Sequence, residues 1–129
     1  MRMWAIGAAL CLMGSAVSAQ EVTSFGDVAG SWRGHGLQTG VDTMIVIRAD
    51  GGWTTSSKVG RESGQGSIKN GAFLIEWRGG YGKMEITKSG PDAIVAKTQW
   101  YSGGRWVNGQ VDAKRCTKPD CTDRGSKAY

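Results

Sequence analysis

The sequence is poor in the residue types on which most metal and catalytic sites depend. It has one histidine, His35, and three cysteines among 129 residues. A protein metal site of the usual kind needs more nitrogen and sulfur ligands than these. His35 lies between two glycines, and neither a serine nucleophile motif nor a second histidine accompanies it for acid–base chemistry. We therefore expect no metal, no cofactor and no enzymatic activity.

Long hydrophobic runs are also lacking. Arg2 precedes an apolar run at residues 4–13, and small residues follow at 14–19. A membrane-spanning helix needs about 20 apolar residues, so this run is too short for a retained anchor. A basic start, a short apolar run and small residues ending at Ala19 are typical of a signal peptide. We predict a signal peptide at residues 1–19, export to the periplasm or the medium, and no membrane span after cleavage.

The predicted cleavage removes Cys11 and leaves two cysteines, Cys116 and Cys121. A pair of cysteines in an exported protein is typical of a disulfide. The residues between them include a Pro-Asp pair that favours a turn, which would help the small ring to close. We predict one β-barrel domain at residues 20–115, followed by a polar tail at residues 116–129 that holds this disulfide.

Positive charge is in modest excess, and it is not clustered. The chain carries 16 lysines and arginines against 11 acidic residues, a net charge of +5. Its basic residues are scattered along the chain and do not form the stripe that phosphate contacts require. We therefore expect no nucleic-acid partner.

Glycine, by contrast, is abundant, with 21 residues that divide the chain into short segments. Many of them occur in pairs or beside Asp and Asn, which suits the positive φ angles of tight hairpin turns. Such turn signals lie at residues 50–52, 60–64, 70–71, 79–80 and 103–104. The segments at 41–47, 72–77, 81–88 and 93–100 alternate apolar and polar side chains, as half-buried strands do.

This pattern predicts about eight strands joined by hairpins, the first at residues 32–38 and the last at 105–111. Only residues 25–29 suggest a short helical turn. Closing such a meander into a barrel removes its exposed edges. We therefore predict an all-β fold, a small antiparallel up-and-down barrel. An open, strongly curved sheet or a sandwich is the alternative.

Two tripeptides carry a family resemblance, Gly30-Ser31-Trp32 and Thr98-Gln99-Trp100. They resemble the Gly-x-Trp entry of the calycin superfamily (the lipocalins and avidins) and the Thr-Gln-Trp of a late avidin strand. The resemblance implies a lipocalin-like barrel with Gly30 and Trp32 at its closed end. It also implies a basic residue, Arg115 or Arg105, packed over the Trp32 ring through a cation–π contact. In avidins the matching late tryptophan lines the ligand site.

Aromatic residues are the strongest candidates for a binding site. Their large apolar surfaces and polar tips suit the lining of a ligand cavity. The candidate ligand-binding residues are Trp53, Trp77, Trp100, Tyr101 and Trp106. The alternative is that these rings fill a core that is poor in leucine and phenylalanine. The alternating position of Trp77 favours that alternative.

We predict an exported β-barrel module that binds a small apolar or aromatic ligand at the barrel mouth. The alternative is a periplasmic protein-interaction module, an inhibitor or an envelope accessory, that acts through its loops and surface aromatics. The expected partner is accordingly a small molecule or an envelope protein.

Overall fold

A computed structural model of the chain describes residues 20–37, 40–58 and 60–116. The predicted signal peptide at residues 1–19 lies outside the described residues, and so does Cys121, so cleavage and the disulfide stay predictions. Two 3₁₀ turns, Phe25–Asp27 and Arg78–Gly80, accompany the strands. The strands are β1 Gly30–Gly36, β2 Asp42–Ile47, β3 Gly52–Ser57, β4 Gly60–Gln65, β5 Ser67–Lys69, β6 Ala72–Glu76, β7 Gly82–Gly90, β8 Ala93–Ser102 and β9 Arg105–Arg115.

The strands form one antiparallel sheet in which sequence neighbours pair, apart from one interruption between β4 and β5. The sheet curls until β1 pairs with β9, where Trp32 lies opposite Arg115 and Gly36 opposite Val111. The result is a nearly closed barrel, which confirms the predicted all-β up-and-down architecture. The short turn expected at residues 25–29 is the 3₁₀ turn Phe25–Asp27.

Strands β4 and β5 follow one another directly, with a kink at Gly66 between them, and β4 lies where the sequence predicted a turn at residues 60–64. The half before the kink pairs with β3 as far as Gln65, and the half after it pairs with β6 from Ser67 onward. A Cβ atom at residue 66 would collide with the ring of Phe73, so only glycine fits at the kink. The upper half, β4, therefore has a ladder on one side only, and its other side forms a seam in the barrel wall.

The last strand is longer than predicted. We expected it to end at residue 111, whereas β9 continues to Arg115. Its alternation persists, since Val111 and Ala113 are buried while Asp112 and Lys114 are exposed. The short, polar character of this stretch concealed a strand that is held by pairing with β1.

The lower part of the barrel is filled by inward-facing aliphatic side chains and one phenylalanine. They belong to β2 and β6–β8 and are at most 2% exposed. They are Ile45, Ile47, Phe73, Ile75, Ile86 and Ile94. Burial of a side chain of this size contributes about 1.5–3 kcal/mol to stability. This packed layer separates the two ends of the barrel.

One end is closed by Trp32, which is fully buried. Its indole Nε1 donates a hydrogen bond to the carbonyl of Val28 at 2.8 Å. The guanidinium carbon of Arg115 lies 4.3 Å from the centroid of the indole ring, within cation–π range. Arg105 lies at the opposite end of β9, so Arg115 is the arginine that covers Trp32. Arg115 also donates to Asp92 Oδ1 at 2.9 Å and to the Ala29 carbonyl at 3.1 Å.

Candidate functional site

The other end of the barrel holds a cavity of about 390 Å³ that is open to solvent. Its walls come from the mouth-proximal halves of β1–β4 and β7–β9 and from the β6–β7 connection. Its lining includes Thr55, Arg61, Glu62, Trp77, Tyr81, Thr98 and Trp100.

The interior face changes character along each strand that reaches the mouth. On β8, Ile94 and Ala96 are fully buried in the core, and the next inward positions are Thr98 and Trp100. Thr55 on β3 pairs with the core residue Ile45 and lines the cavity floor. Hydroxyl groups therefore replace methyl groups where the core gives way to the cavity, and they supply hydrogen-bonding groups in an otherwise apolar wall.

Two tryptophans lie against glycines on neighbouring strands. A Cβ atom at Gly109 would lie 2.9 Å from Trp100 Cζ3, and one at Gly82 would collide with the Trp77 ring. Each ring therefore occupies the space that a side chain would otherwise fill. Both rings line the cavity and are only partly buried, which leaves part of their surface available to a ligand.

Tyr81 extends the aromatic wall across the seam. Its ring stacks on Trp77 with centroids 5.9 Å apart and an interplanar angle of 12°. Its backbone carbonyl accepts a hydrogen bond from the Tyr101 N–H at 2.8 Å. Its hydroxyl donates to the carboxylate of Glu62 on β4. The hydrogen bond to Glu62, with lesser contributions from burial and the Glu62 charge, raises the pKa of Tyr81 to about 12.

Glu62 faces the barrel interior. It pairs with Thr55, whose own partner is the core residue Ile45, so all three lie on the inner face. Its neighbour Arg61 pairs with Ser56 and is directed by the same alternation to the outer face. Two charged residues, Arg61 and Glu62, border the cavity, and strand alternation directs the Glu62 side chain to the inner face and the Arg61 side chain to the outer face.

The structure divides the five candidate ligand-binding aromatics into three groups. Trp77 and Trp100 line the cavity. Trp53 is 1% exposed and belongs to the core cluster, away from the cavity lining. Tyr101 and Trp106 lie beyond the mouth on the β8–β9 hairpin, 51% and 52% exposed, with ring centroids 5.4 Å apart in an edge-to-face arrangement.

Sequence reasoning missed Glu62. The glycines at 60 and 64 were interpreted as a turn, whereas residues 60–65 form strand β4. Gly64 fits in a strand here because the Trp53 ring packs against it, with a Cβ at that position 2.9 Å from Trp53 Cζ2. The alternation of inner and outer positions continues through β4, but glycines and polar residues occupy both faces, so no hydrophobic signal marks it.

The described part of the chain contains no group of three or more His, Cys, Asp and Glu side chains arranged to hold a metal ion. None of its helical segments is long and apolar enough to cross a membrane. A scan against protein-family models and a search of the curated proteins both find no match.

Proposed function

We propose that this protein is an exported binding module that takes one small molecule into the mouth of its barrel. The observation that carries the proposal is the cavity itself, about 390 Å³ in volume, above a packed core. Small-molecule sites are concave, of roughly 300–1,000 Å³, and combine aromatic walls with a few polar groups. Trp77, Trp100 and Tyr81 supply such walls here, and threonine hydroxyls supply polar groups.

The asymmetry of the barrel supports the same proposal. Eight-stranded barrels are just wide enough to be filled by side chains or to hold one small ligand. In this barrel the end capped by Trp32 and Arg115 is filled, while the opposite end is open. This arrangement also supports the resemblance to calycins, which we propose as its structural class. Its action outside the cytoplasm is proposed from the signal peptide pattern.

The proposal is tested by native mass spectrometry of protein purified gently from its own source. We expect the chain to carry a stable small adduct whose mass identifies the ligand. Trp100→Ala should reduce adduct occupancy at least tenfold, because it removes one aromatic wall. Trp106→Ala removes an exposed tryptophan outside the cavity and is the matched control. A bare chain that also shows no tryptophan fluorescence change with a metabolite extract would refute the proposal.

A second candidate function is binding to an envelope protein through the β8–β9 hairpin. The specific observation in its favour is the exposed Tyr101–Trp106 pair, since aromatic side chains are enriched at protein interfaces. Trp106→Ala should then weaken a copurifying partner while Trp100→Ala leaves it in place. Equal partner recovery with both variants would count against this candidate.

A further inference from the structure

We propose that the ligand of this cavity is a small organic cation, a protonated amine or a quaternary ammonium group attached to an apolar or aromatic body. The inference rests on the proposed function and specifies the chemistry of the same site. Two observations carry it: an inward-facing carboxylate and an aromatic wall that adjoins it.

The charge on the inner face has one sign. Glu62 and Arg61 both border the cavity; Glu62 lies on the inner face beside Thr55, whereas the strand alternation directs the Arg61 side chain outward. The remaining inward-facing side chains of the described lining are neutral. A cleft lined by one sign of charge between low-dielectric walls concentrates ligands of the opposite sign. The Glu62 carboxylate would repel an anionic ligand, and it would add little binding energy for a neutral ligand.

The partner of the Glu62 carboxylate is a neutral group. Within the described ranges, Glu62 takes part in no ion pair, and the hydrogen bond shown for it comes from the Tyr81 hydroxyl. The Tyr81 hydroxyl is a neutral donor, so the hydrogen bond brings no counter-charge to the carboxylate. A cationic ligand would supply that counter-charge on the cavity wall.

The aromatic wall is contiguous with this carboxylate. Tyr81 contacts Glu62 through its hydroxyl and stacks on Trp77 through its ring. Trp100 lines the same cavity. Aromatic faces attract cations, tryptophan most strongly, and aromatic cages are a common way to bind quaternary ammonium groups. Thr55 and Thr98 hydroxyls on the floor can accept N–H bonds from a protonated amine. The Glu62 carboxylate and the aromatic rings beside it thus both favour a cationic ligand.

The inference is tested with three probes of similar size and different charge: benzyltrimethylammonium, benzyl alcohol and phenylacetate. Each is titrated into the intact mature protein at neutral pH, with binding followed by calorimetry and by tryptophan fluorescence. We expect benzyltrimethylammonium to bind at least tenfold more tightly than either other probe. We also expect its affinity to fall as salt rises, since part of the attraction is between charges.

Glu62→Gln separates charge from shape, because glutamine keeps a carbonyl oxygen that can accept the Tyr81 hydrogen bond. It should weaken the cationic probe about tenfold and leave benzyl alcohol unchanged. Glu85→Gln is the matched control: Glu85 is an exposed residue on β7, at an outward position, and its replacement makes the same change in net charge. Near-ultraviolet circular dichroism establishes that both variants keep the native fold.

The outcomes distinguish the inference from the function on which it rests. If benzyl alcohol or phenylacetate binds as tightly as the cation, the cavity is a binding site and the cationic inference is wrong. Equal loss of cation binding in Glu62→Gln and Glu85→Gln would also overturn it, because the effect would then be one of net charge. If no probe binds, the inference fails, and the adduct measurement alone decides the proposed function.

Discussion

Tryptophans lie at both ends of the barrel, but they are fully buried at the closed end and only partly buried at the open end. At the closed end, Trp32 is fully buried, its N–H is bonded and a guanidinium lies over its ring. At the open end, Trp77 and Trp100 pack against glycines and still present part of their surfaces to a cavity. The difference arises because the segment that holds Val22 and Val28, both fully buried, packs against the closed end and completes its core. A tryptophan in this fold contributes to stability or to binding according to what covers it.

Trp32→Ala is expected to have the largest effect on this comparison. Replacing a buried tryptophan with alanine costs about 3–5 kcal/mol, a large part of the stability of a domain of this size. Urea unfolding of Trp32→Ala and Trp100→Ala measures the contrast between the two ends. The idea of a structural end and a binding end would be wrong if Trp100→Ala were as destabilising as Trp32→Ala.

Arg115→Met should cost about 2 kcal/mol, because it removes the cation–π contact with Trp32 and the hydrogen bond to the Ala29 carbonyl. The ion pair with Asp92 adds little, since the Asp92 side chain is 77% exposed. Arg105→Met, at the mouth end of the same strand, is the control and should change stability by less than about 0.5 kcal/mol. Thermal unfolding of the two variants measures this difference in stability. An equal loss in both would show that the position of Arg115 over Trp32 does not account for its contribution.

Trp100→Ala should destabilise the protein less than Trp32→Ala does, because the Trp100 ring is only partly buried and borders an open cavity. It should also weaken binding of the cationic probe at least tenfold, equivalent to about 1.4 kcal/mol. Calorimetric titration with benzyltrimethylammonium measures this loss. Affinity equal to that of the unmodified protein would place the ligand away from this wall.

The smallest expected effect concerns pH and the Tyr81–Glu62 hydrogen bond. The pKa of Tyr81 is raised from 10.0 to about 12, so the neutral phenol is favoured in the folded protein. The resulting stabilisation is fully present below about pH 10 and is lost as the pH rises through 12. It should be slight, because Tyr81 is 43% exposed and solvent screens the interaction.

Spectrophotometric titration of the phenols near 295 nm tests this shift directly. The chain has three tyrosines, and one phenol should ionise near pH 12. Tyr81→Phe should remove that late step, and Glu62→Ala, which removes the hydrogen-bond acceptor, should return it toward the ordinary range. A late step that survives in Tyr81→Phe would assign the raised pKa to another tyrosine.

The sequence was most informative where strands are half-buried. Residues 93–100 alternate cleanly, and β8 follows that pattern with Ile94 and Ala96 inside. It was least informative where glycine replaces a hydrophobic residue on the inner face, as at Gly64 in β4, since the Trp53 ring that fills the space comes from the paired strand β3. The alternation of apolar and polar residues predicts which side chains point inward, but it does not predict how deeply each one is buried. A tryptophan in the core and a tryptophan in the cavity wall therefore give the same pattern, because the neighbouring strands determine how much of each ring is covered.

The kink at Gly66 has a mechanical consequence for the mouth. A barrel with a complete ladder can change its girth only by breaking backbone hydrogen bonds. Here β4 is paired with β3 alone, and the described contact across the seam is a hydrogen bond between two side chains, Tyr81 and Glu62. The width of the mouth at the seam is therefore set by side chains, whereas below the kink, where β5 pairs with β6 alone, the barrel is filled by the packed core. A change in barrel width would accordingly disturb fewer contacts at the mouth than at the level of the core.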